Sequence, residues 1–315
     1  MKKFIINTIA FTLIVFLIAM VVDFVISEGL RKTERLHFYT MNKLMNDSIN
    51  ADVVILGNSR AAGSYHPTIL DTILDVDSRN LGVSGQPFGV SYLRWKLYQR
   101  HNRNPELLII NIDYGELNMV SNGFEKEQYY PYMNDTLVKP YLDLYGFSWA
   151  EKHIPMYRYR GNYKLMSIGL MELFNIRHDA KGDYIKGYSN KDWNWEGEKL
   201  EYVLQNGGVK GVCDQQTVAL LEKLLEDVNK KDIPVVFVYA PMFKRLKDNL
   251  DEQLSMDAYR RLSQQYGVPI LDFSDMSISS DTTFFHDANH VNSVGAERFS
   301  SELAHCLDSL GIIKN

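Results

Sequence analysis

The sequence is poor in cysteine and has no excess of positive charge. Cys213 and Cys306 are the only cysteines in 315 residues. They match no metal-ligand spacing, and the sequence leaves open whether they are free or paired. The formal net charge is −5, the pI is about 5.9, and no stretch forms a basic stripe. These absences argue against a metal centre and against a nucleic-acid partner.

Long hydrophobic runs are also missing, with one exception at the N-terminus. Phe4–Ile26 is almost wholly apolar, and a run of roughly 20 residues is enough to span a bilayer. A cleaved signal peptide usually has a shorter apolar core followed by a small-x-small site, and Asp23–Ile26 offers no such site. We therefore expect residues 1–27 to be an uncleaved transmembrane anchor, with the membrane contacted through residues 4–26. Four polar residues interrupt the run, namely Asn7, Thr8, Thr12 and Asp23.

Charge alone does not orient this anchor. Lys2 and Lys3 precede the apolar run, and they favour a cytoplasmic N-terminus. Arg31, Lys32 and Arg35 follow it and favour the opposite orientation. Residues 28–50 are polar with scattered apolar positions, and we interpret them as a juxtamembrane helix and linker.

The remaining chain, 51–315, alternates apolar strand-like runs with amphipathic helical ones. This alternation predicts an α/β fold with a doubly wound parallel sheet and helices on both faces. In such a sheet the functional site lies outside the carboxyl ends of the strands. The predicted strands are 51–56, a short one before the glycines at 82 and 85, 107–113, 233–239 and 268–273. The predicted helices are 88–100, 216–230, 250–265 and one from about 293 to 310, capped by Asn292 or Ser293.

An aromatic-rich stretch at about 120–210 breaks this alternation, and we interpret it as an insertion with helical structure around 165–175. Two accounts of its aromatic residues are open: they form a local core, or they line a substrate-binding cap, since aromatic faces pack well on sugar rings. The residues concerned are Tyr129, Tyr130, Tyr132, Tyr141, Tyr145, Trp149, Tyr157, Tyr159, Tyr163, Trp193 and Trp195.

The candidate nucleophile is Ser59, which follows the buried-strand run Val53–Leu56 and the residues Gly57 and Asn58. A serine at the head of a turn or helix lies among outward-pointing backbone N–H groups, which can stabilise an oxyanion. A serine nucleophile needs a base, and the base needs an orienting carboxylate.

Near the C-terminus, Asp287 and His290 can supply the carboxylate and the base from one turn of chain. Asp287 would fix the tautomer of the imidazole and stabilise the imidazolium. His286 is the competing histidine, and its side chain is expected to face away if His290 faces the serine.

These blocks resemble the SGNH (GDSL-like) hydrolase superfamily. The first block is matched by Gly57–Ser59, the second, N-x-G-x-x-G, by Asn80–Gly85, and the last, D-x-x-H, by Asp287–His290. The resemblance covers about 51–118 and 210–310, and it implies a flavodoxin-like parallel sheet. It also implies catalysis by Ser59, His290 and Asp287, an oxyanion hole from the backbone N–H groups of Ser59 and Gly85, and no metal or organic cofactor.

The third block of that superfamily, G-x-N-D, is not reproduced. The equivalent stretch is Asp113–Asn118, with no asparagine at the expected place. Either Asn118 substitutes as the oxyanion donor or this donor is missing, which costs about 10²–10³ in rate if nothing replaces it.

An N-terminal anchor with a variant third block is similar to the DltD-like and alginate-acetylation SGNH proteins. That similarity implies a globular domain outside the cytoplasmic membrane. It also implies an esterase or O-acyltransferase acting on acyl esters of a cell-envelope glycan, with a membrane-bound O-acyltransferase as partner.

A second hypothesis is a non-catalytic accessory protein that keeps the fold and binds glycan or a membrane partner. The missing third-block asparagine favours it, whereas the intact Ser59, Asp287 and His290 favour the enzyme.

Overall fold

The structure is a computed structural model, and it describes residues 1–35, 37–46, 48–119, 124–176, 184–189 and 194–313. The α-helices are α1 Lys2–Leu30, α2 Phe38–Asn46, α3 Ser59–Ser64, α4 Pro67–Leu74, α5 Phe88–His101, α6 Trp149–His153, α7 Tyr163–Leu173, α8 Glu198–Gln205, α9 Gln215–Asn229, α10 Lys244–Lys247, α11 Gln253–Tyr266 and α12 Ser293–Ser309. The strands are β1 Val53–Leu56, β2 Ser78–Asn80, β3 Leu107–Asn111, β4 Tyr184–Ile185, β5 Tyr188–Ser189, β6 Val209–Lys210, β7 Val235–Tyr239, β8 Leu250–Asp251, β9 Ile270–Asp272, β10 Phe285–Asp287 and β11 His290–Val291.

The chain divides into two compact units. One, the N-terminal unit, combines Met1–Asn46 with Glu125–Gly182, and the other, the sheet unit, combines Asp47–Phe124 with Asp183–Asn315. Most of the predicted linker and much of the predicted insertion therefore belong to the same unit, the N-terminal unit. The end of the expected insertion belongs to the sheet unit. Trp193, named among the aromatic residues, lies outside the described residues.

The sheet unit is built on a five-stranded sheet in the order β2-β1-β3-β7-β9, in which every neighbouring pair is parallel. In order along the chain this is the 2-1-3-4-5 arrangement of flavodoxin-like folds. All residues of β1 and β3 are buried, as expected of central strands covered by helices on both faces. The predicted doubly wound α/β fold is confirmed.

Each strand predicted for the sheet, and each helix predicted between these strands or after the last of them, occurs in the structure. The strands are shorter than the apolar runs that predicted them. The C-terminal helix α12 begins at Ser293, and the side chain of Asn292 caps it by accepting a hydrogen bond from the Gly295 N–H at 3.0 Å. Its buried face packs into the same core as β1 and β3, through Phe299, Leu303 and Leu307. This packing brings the start of α12, and the chain just before it, to the carboxyl edge of the sheet.

The N-terminal unit contains α1, the one described helix that is long and apolar enough to cross a membrane. By length and composition alone, such a helix fits a membrane anchor or a signal sequence. Its C-terminal end is built into the unit, where Gly29 meets Gly169 of α7. A Cβ atom at Gly29 would lie 1.6 Å from the Gly169 carbonyl oxygen, so only glycine allows this crossing.

The aromatic residues of the N-terminal unit are largely its own core. Tyr129 and Tyr145 are fully buried, and their rings stack with 4.3 Å between the centroids. The Tyr145 hydroxyl is hydrogen-bonded to the Tyr129 hydroxyl at 3.0 Å. Tyr130, Tyr132 and Tyr159 are also buried. For these five residues the structure agrees with a local core.

Candidate active site

Ser59 stands on a sharp turn between β1 and α3. Gly57, which follows the strand, has φ +149°, and a Cβ atom there would lie 2.8 Å from the Cβ atoms of both Ala61 and Asn111. A side chain does not fit that space. Asn58 then caps α3 by accepting the Arg60 N–H at 2.9 Å, so Ser59 becomes the first residue of the helix, at the carboxyl edge of the sheet.

His290 and Asp287 face this serine from a small antiparallel hairpin, β10–β11, in which the two residues are directly paired. Ser59 Oγ lies 2.8 Å from His290 Nε2. On the other side of the ring, His290 Nδ1 lies 2.9 Å and 3.1 Å from the two carboxylate oxygens of Asp287. The three predicted residues are thus assembled as a nucleophile, a base and an orienting carboxylate.

Asp287 is held as an anion. Burial by itself would raise the pKa of Asp287, but the hydrogen bond and charge of His290 act against it. The backbone N–H groups of Asn289 and His290 also donate to Asp287 Oδ1, at 2.8 Å and 2.9 Å. The net result is a pKa well below the ordinary value of an aspartate. With the Nδ1–H of His290 donating to an ionised Asp287, Nε2 is the ring nitrogen that can accept the proton of Ser59.

The hairpin is supported from behind by the end of the predicted insertion. The Glu196 N–H donates to the His286 carbonyl oxygen at 2.7 Å. The ring of Trp195 packs on that of Phe243, with 4.8 Å between the ring centroids. The Phe243 ring in turn lies edge-on to that of Phe285 in β10, with 5.8 Å between the centroids. His286 itself is buried, with Nε2 3.5 Å from Asp287 Oδ2. It contacts Asp287 instead of the serine, as expected of the competing histidine.

Ser59, Gly85 and Asn118 line one cleft of about 420 Å³, together with His290. The Ser59 N–H is the first of α3 and has no partner within the helix. Gly85 has φ +65°, a left-handed conformation that favours glycine. The three residues predicted to hold the oxyanion, including Asn118, therefore line the same cleft.

The second sequence block has a clear structural role. Asn80 Nδ2 donates to the carbonyl oxygens of Ala61 and Tyr65, at 2.7 Å and 3.0 Å, and its Oδ1 accepts the Gly82 N–H at 2.9 Å. A Cβ atom at Gly82 would lie 2.5 Å from the Ala62 nitrogen. Asn80 and Gly82 thus fix the loop that carries Gly85 against α3.

Sequence reasoning missed a buried polar network beneath the serine. Asn58 Nδ2 donates to Asp113 Oδ2 at 2.8 Å, and Asp113 Oδ1 accepts the N–H groups of Gly115 and Glu116 at 2.7 Å and 2.9 Å. Asp113 and Arg60 are almost fully buried, with Arg60 Nε 3.8 Å from Asp113 Oδ2. The available signal was the carboxylate that follows β3, at the edge where strand ends converge.

Glu116 completes this network. It is 1% exposed, and burial, reinforced by the charge of Asp113, raises the pKa of its carboxyl group well above the usual value. The Ser91 hydroxyl and the Asn58 backbone N–H donate to it and oppose that rise. The carboxyl group of Glu116 therefore lies next to Asn58, the residue that precedes Ser59.

The described residues contain no group of three or more His, Cys, Asp or Glu side chains placed to hold a metal ion. The fold and the site together define a doubly wound α/β protein with a Ser–His–Asp triad at the carboxyl edge of its sheet.

The chain was compared with known protein families, curated proteins and solved structures. No protein-family model matches the chain, and no curated protein matches its sequence. Solved structures of lipolytic and acylhydrolase-like proteins are similar to it. A candidate lipolytic protein of the G-D-S-L family from Desulfitobacterium hafniense DCB-2 has a TM-score of 0.39 and 11% identity, covering 80% of this chain and 97% of that one.

Two further structures are similar to the same degree. A candidate acylhydrolase from Bacteroides fragilis NCTC 9343 has a TM-score of 0.37 and 14% identity, covering 81% of this chain and 86% of its own. LAE5, an alpha/beta hydrolase from the Lake Arreo metagenome, has a TM-score of 0.43 and 11% identity, covering 86% and 100%. Likenesses of this degree say nothing about a reaction, so the function rests on the geometry of the site.

Proposed function

We propose that this protein is a serine esterase or O-acyltransferase of the SGNH type. The observation that carries the proposal is the 2.8 Å contact between Ser59 Oγ and His290 Nε2, with His290 Nδ1 on an ionised Asp287. A serine becomes nucleophilic at neutral pH when a correctly oriented base is within hydrogen-bond reach.

The reaction follows from these positions. Ser59 Oγ attacks the ester carbonyl while His290 Nε2 takes the hydroxyl proton, and the oxyanion is held by the N–H groups of Ser59 and Gly85 with Asn118 as third donor. The tetrahedral intermediate collapses, the bond to the alcohol breaks, and His290 returns the proton to the leaving alcohol. Water or a second alcohol then attacks the acyl-serine by the same route. Water gives hydrolysis, and an alcohol gives acyl transfer.

We further propose that the protein is anchored in the cytoplasmic membrane through residues 4–26, with its triad outside the cytoplasm. The support is α1, whose apolar side chains are exposed along its first two-thirds, as expected of a helix with lipid around it. The similarity to the DltD-like and alginate-acetylation branch points to acyl esters of a cell-envelope glycan as substrate. It also points to a membrane-bound O-acyltransferase as partner.

Labelling with a fluorophosphonate tests the enzyme. We expect covalent modification at Ser59, identified by peptide mass, and none in Ser59→Ala. Ser280→Ala, which removes an exposed hydroxyl away from the cleft, is the matched control and should label like wild type. A folded protein that does not label at Ser59 would instead support the non-catalytic accessory protein.

The direction of transfer needs a second measurement. The acyl-enzyme is first formed by reacting unmodified protein with a short ester whose acyl group carries a label. The decay of the acyl-enzyme is then followed with and without a soluble glycan oligosaccharide. Faster decay, with the acyl group recovered on the oligosaccharide, identifies a transferase. Decay that the oligosaccharide leaves unchanged identifies an esterase.

A further inference from the structure

The apolar exposure of α1 ends close to Asp23. Large apolar side chains from Phe4 to Val21 are exposed, and so is Phe24, whereas Asp23, Ile26 and Leu30 are buried. About 20 helical residues precede Asp23 and span roughly 30 Å, the thickness of the hydrocarbon core of a bilayer. If α1 is the proposed anchor, the hydrocarbon region therefore ends near Asp23.

Asp23 also fixes part of the N-terminal unit at that level. Its carboxylate is ion-paired with Arg158, and both side chains are largely buried, at 12% and 14% exposed. The Met156 N–H donates to Asp23 Oδ2 at 2.8 Å. The chain around residues 154–158 is thus held against the end of the apolar run.

The contacts between α7 and α1 put the start of α7 near the same level. Gly29 crosses Gly169, and beyond that crossing Arg35 is ion-paired with Glu172 of α7 at 3.1 Å. Tyr163 precedes Gly169 by the same number of residues as Asp23 precedes Gly29. Each interval is about 9 Å of helix, so Tyr163 lies level with Asp23.

The side chains presented at this level suit a lipid interface. Tyr163 is 78% exposed and Ile154 is 41% exposed. Arg160 and Lys164 are also exposed, and among the described residues no carboxylate lies within salt-bridge distance of either. Tyrosine is enriched where headgroups meet acyl chains, and Lys and Arg side chains are attracted to an anionic lipid surface. The Arg160 guanidinium also lies over the Tyr157 ring, 5.0 Å from its centroid.

We propose that the segment Ile154–Lys164, the interfacial segment, is a second membrane contact of this protein. Ile154 and Tyr163 lie at the headgroup–acyl boundary, and Arg160 and Lys164 face lipid phosphates. The proposal rests on the anchor proposed above and goes beyond it, because it assigns a lipid-binding surface to the folded N-terminal unit. Continuity with the apolar part of α1 favours lipid over a protein partner.

A consequence concerns truncation. The sequence places the anchor at 1–27, but Asp23, Ile26 and Ser27 are buried in the N-terminal unit. Removing 27 residues would leave Arg158 without its carboxylate and α7 without part of its packing surface. The test therefore uses the full chain.

Depth-resolved quenching tests the proposal. Cys213 and Cys306 are replaced by serine, and single cysteines carrying a nitrobenzoxadiazole fluorophore are introduced as Tyr163→Cys, Ile154→Cys, Phe11→Cys and Phe174→Cys. The proteins are reconstituted in vesicles of phosphatidylcholine and phosphatidylglycerol. The vesicles contain lipids with a nitroxide either near the headgroup or deep in the chain.

Phe174 is the matched control, since it is an exposed aromatic residue of the same unit at the far end of α7. It lies about 16 Å from Tyr163 along the helix axis. We expect the shallow nitroxide to quench the probes at 163 and 154 several-fold more than the probe at 174. The deep nitroxide should quench the probe at 11.

The proposal is overturned if the probe at 11 is quenched while the probes at 163 and 154 are quenched no more than the probe at 174. A membrane-protein partner would then be the better occupant of this surface. An unquenched probe at 11 overturns the anchor and this surface together. Neither result alters fluorophosphonate labelling of Ser59, which tests the enzyme separately.

Discussion

Buried polar side chains make different kinds of contact in the two units of the protein. In the sheet unit, Asn58, Asp113 and Glu116 converge beneath Ser59. In the N-terminal unit, the buried polar groups join elements to one another, as Tyr159 does by its 2.8 Å contact with Ser27 of α1. One arrangement lies beneath the candidate nucleophile, whereas the other joins a helix to the rest of its unit.

This difference shows why aromatic content alone does not identify a binding surface. Tyr129 and Tyr145 satisfy each other inside the N-terminal unit. Tyr114, which has the same side chain, lies in the cleft of the sheet unit and donates to Asn289 Oδ1 at 3.0 Å, beside the triad. The location of the hydroxyl's hydrogen-bond partner therefore distinguishes a tyrosine of the core from a tyrosine of the cleft.

The largest effect is expected from Asp287→Asn. The amide cannot hold the imidazole in the tautomer that accepts the serine proton, and loss of this function costs about 10⁴ in kcat in serine proteases. Turnover of a short acyl ester by the folded variant measures it. The control is Asp281→Asn, an exposed aspartate that only caps a short turn through the Thr283 N–H. An Asp287→Asn variant within ten-fold of wild type would remove the triad from the mechanism.

The second largest effect is expected in the other unit, from Gly29→Val. The new side chain collides with the Gly169 carbonyl, and overpacking of this kind costs about 1–3 kcal/mol or more. Hydrogen exchange of the detergent-solubilised protein should show lost protection in α7. Ala10→Val is the control, because it adds apolar atoms at an exposed position of the same helix.

This variant also sharpens the comparison between the units. The core around β1, β3 and α12 is made of sheet-unit residues alone, so we expect Ser59 of Gly29→Val to keep its reactivity toward fluorophosphonate. Simultaneous loss of protection in α7 and of labelling at Ser59 would show that the two units do not fold separately.

A smaller effect is expected from Asp113→Asn. The variant keeps the size of the side chain, but its amide group cannot accept all the N–H groups that now converge on the carboxylate. Ser59 would shift relative to His290, and small misplacements of this kind cost up to about 10²-fold. We expect kcat to fall while KM stays close to wild type. A raised KM with unchanged kcat would instead make Asp113 part of substrate binding.

Much of the fold and the three triad residues could be predicted because their signals are local. Val53–Leu56 is an uninterrupted apolar run that ends at a glycine, and its topology fixes the edge at which Ser59 emerges. Asp287 and His290 are close in sequence, so their contact needs only one tight hairpin.

The remainder depends on contacts between distant segments. Nothing near Gly29 in the sequence indicates that it crosses Gly169, so the sequence predicts the anchor as a separate segment, whereas its C-terminal end belongs to the N-terminal unit. Topology predicts that Asp113 lies at the same sheet edge as Ser59. The contacts that join Asp113 and Glu116 to Asn58 link segments far apart in the chain, and no local pattern predicts them.

The smallest effect is expected from Glu116→Gln, and its size depends on pH. The folded protein holds the Glu116 proton more tightly than the unfolded chain does, because burial and Asp113 raise the pKa of this carboxyl group. Between the ordinary glutamate pKa of 4.5 and the raised one, the native state binds more protons than the unfolded state. The free energy of unfolding of wild type therefore falls as pH rises through that interval.

Glutamine cannot ionise, keeps an oxygen to accept the Asn58 N–H, and fills the same space. Glu116→Gln should therefore match wild type in stability near pH 4 and become the more stable protein as pH rises. Urea unfolding of both proteins from pH 4 to pH 8 gives the difference at each pH, and Glu198→Gln, an exposed acid at the start of α8, controls for the loss of one surface carboxylate. A difference that stays constant with pH would mean that Glu116 is ionised in the folded protein, and the buried network under Ser59 would then hold two negative charges instead of one.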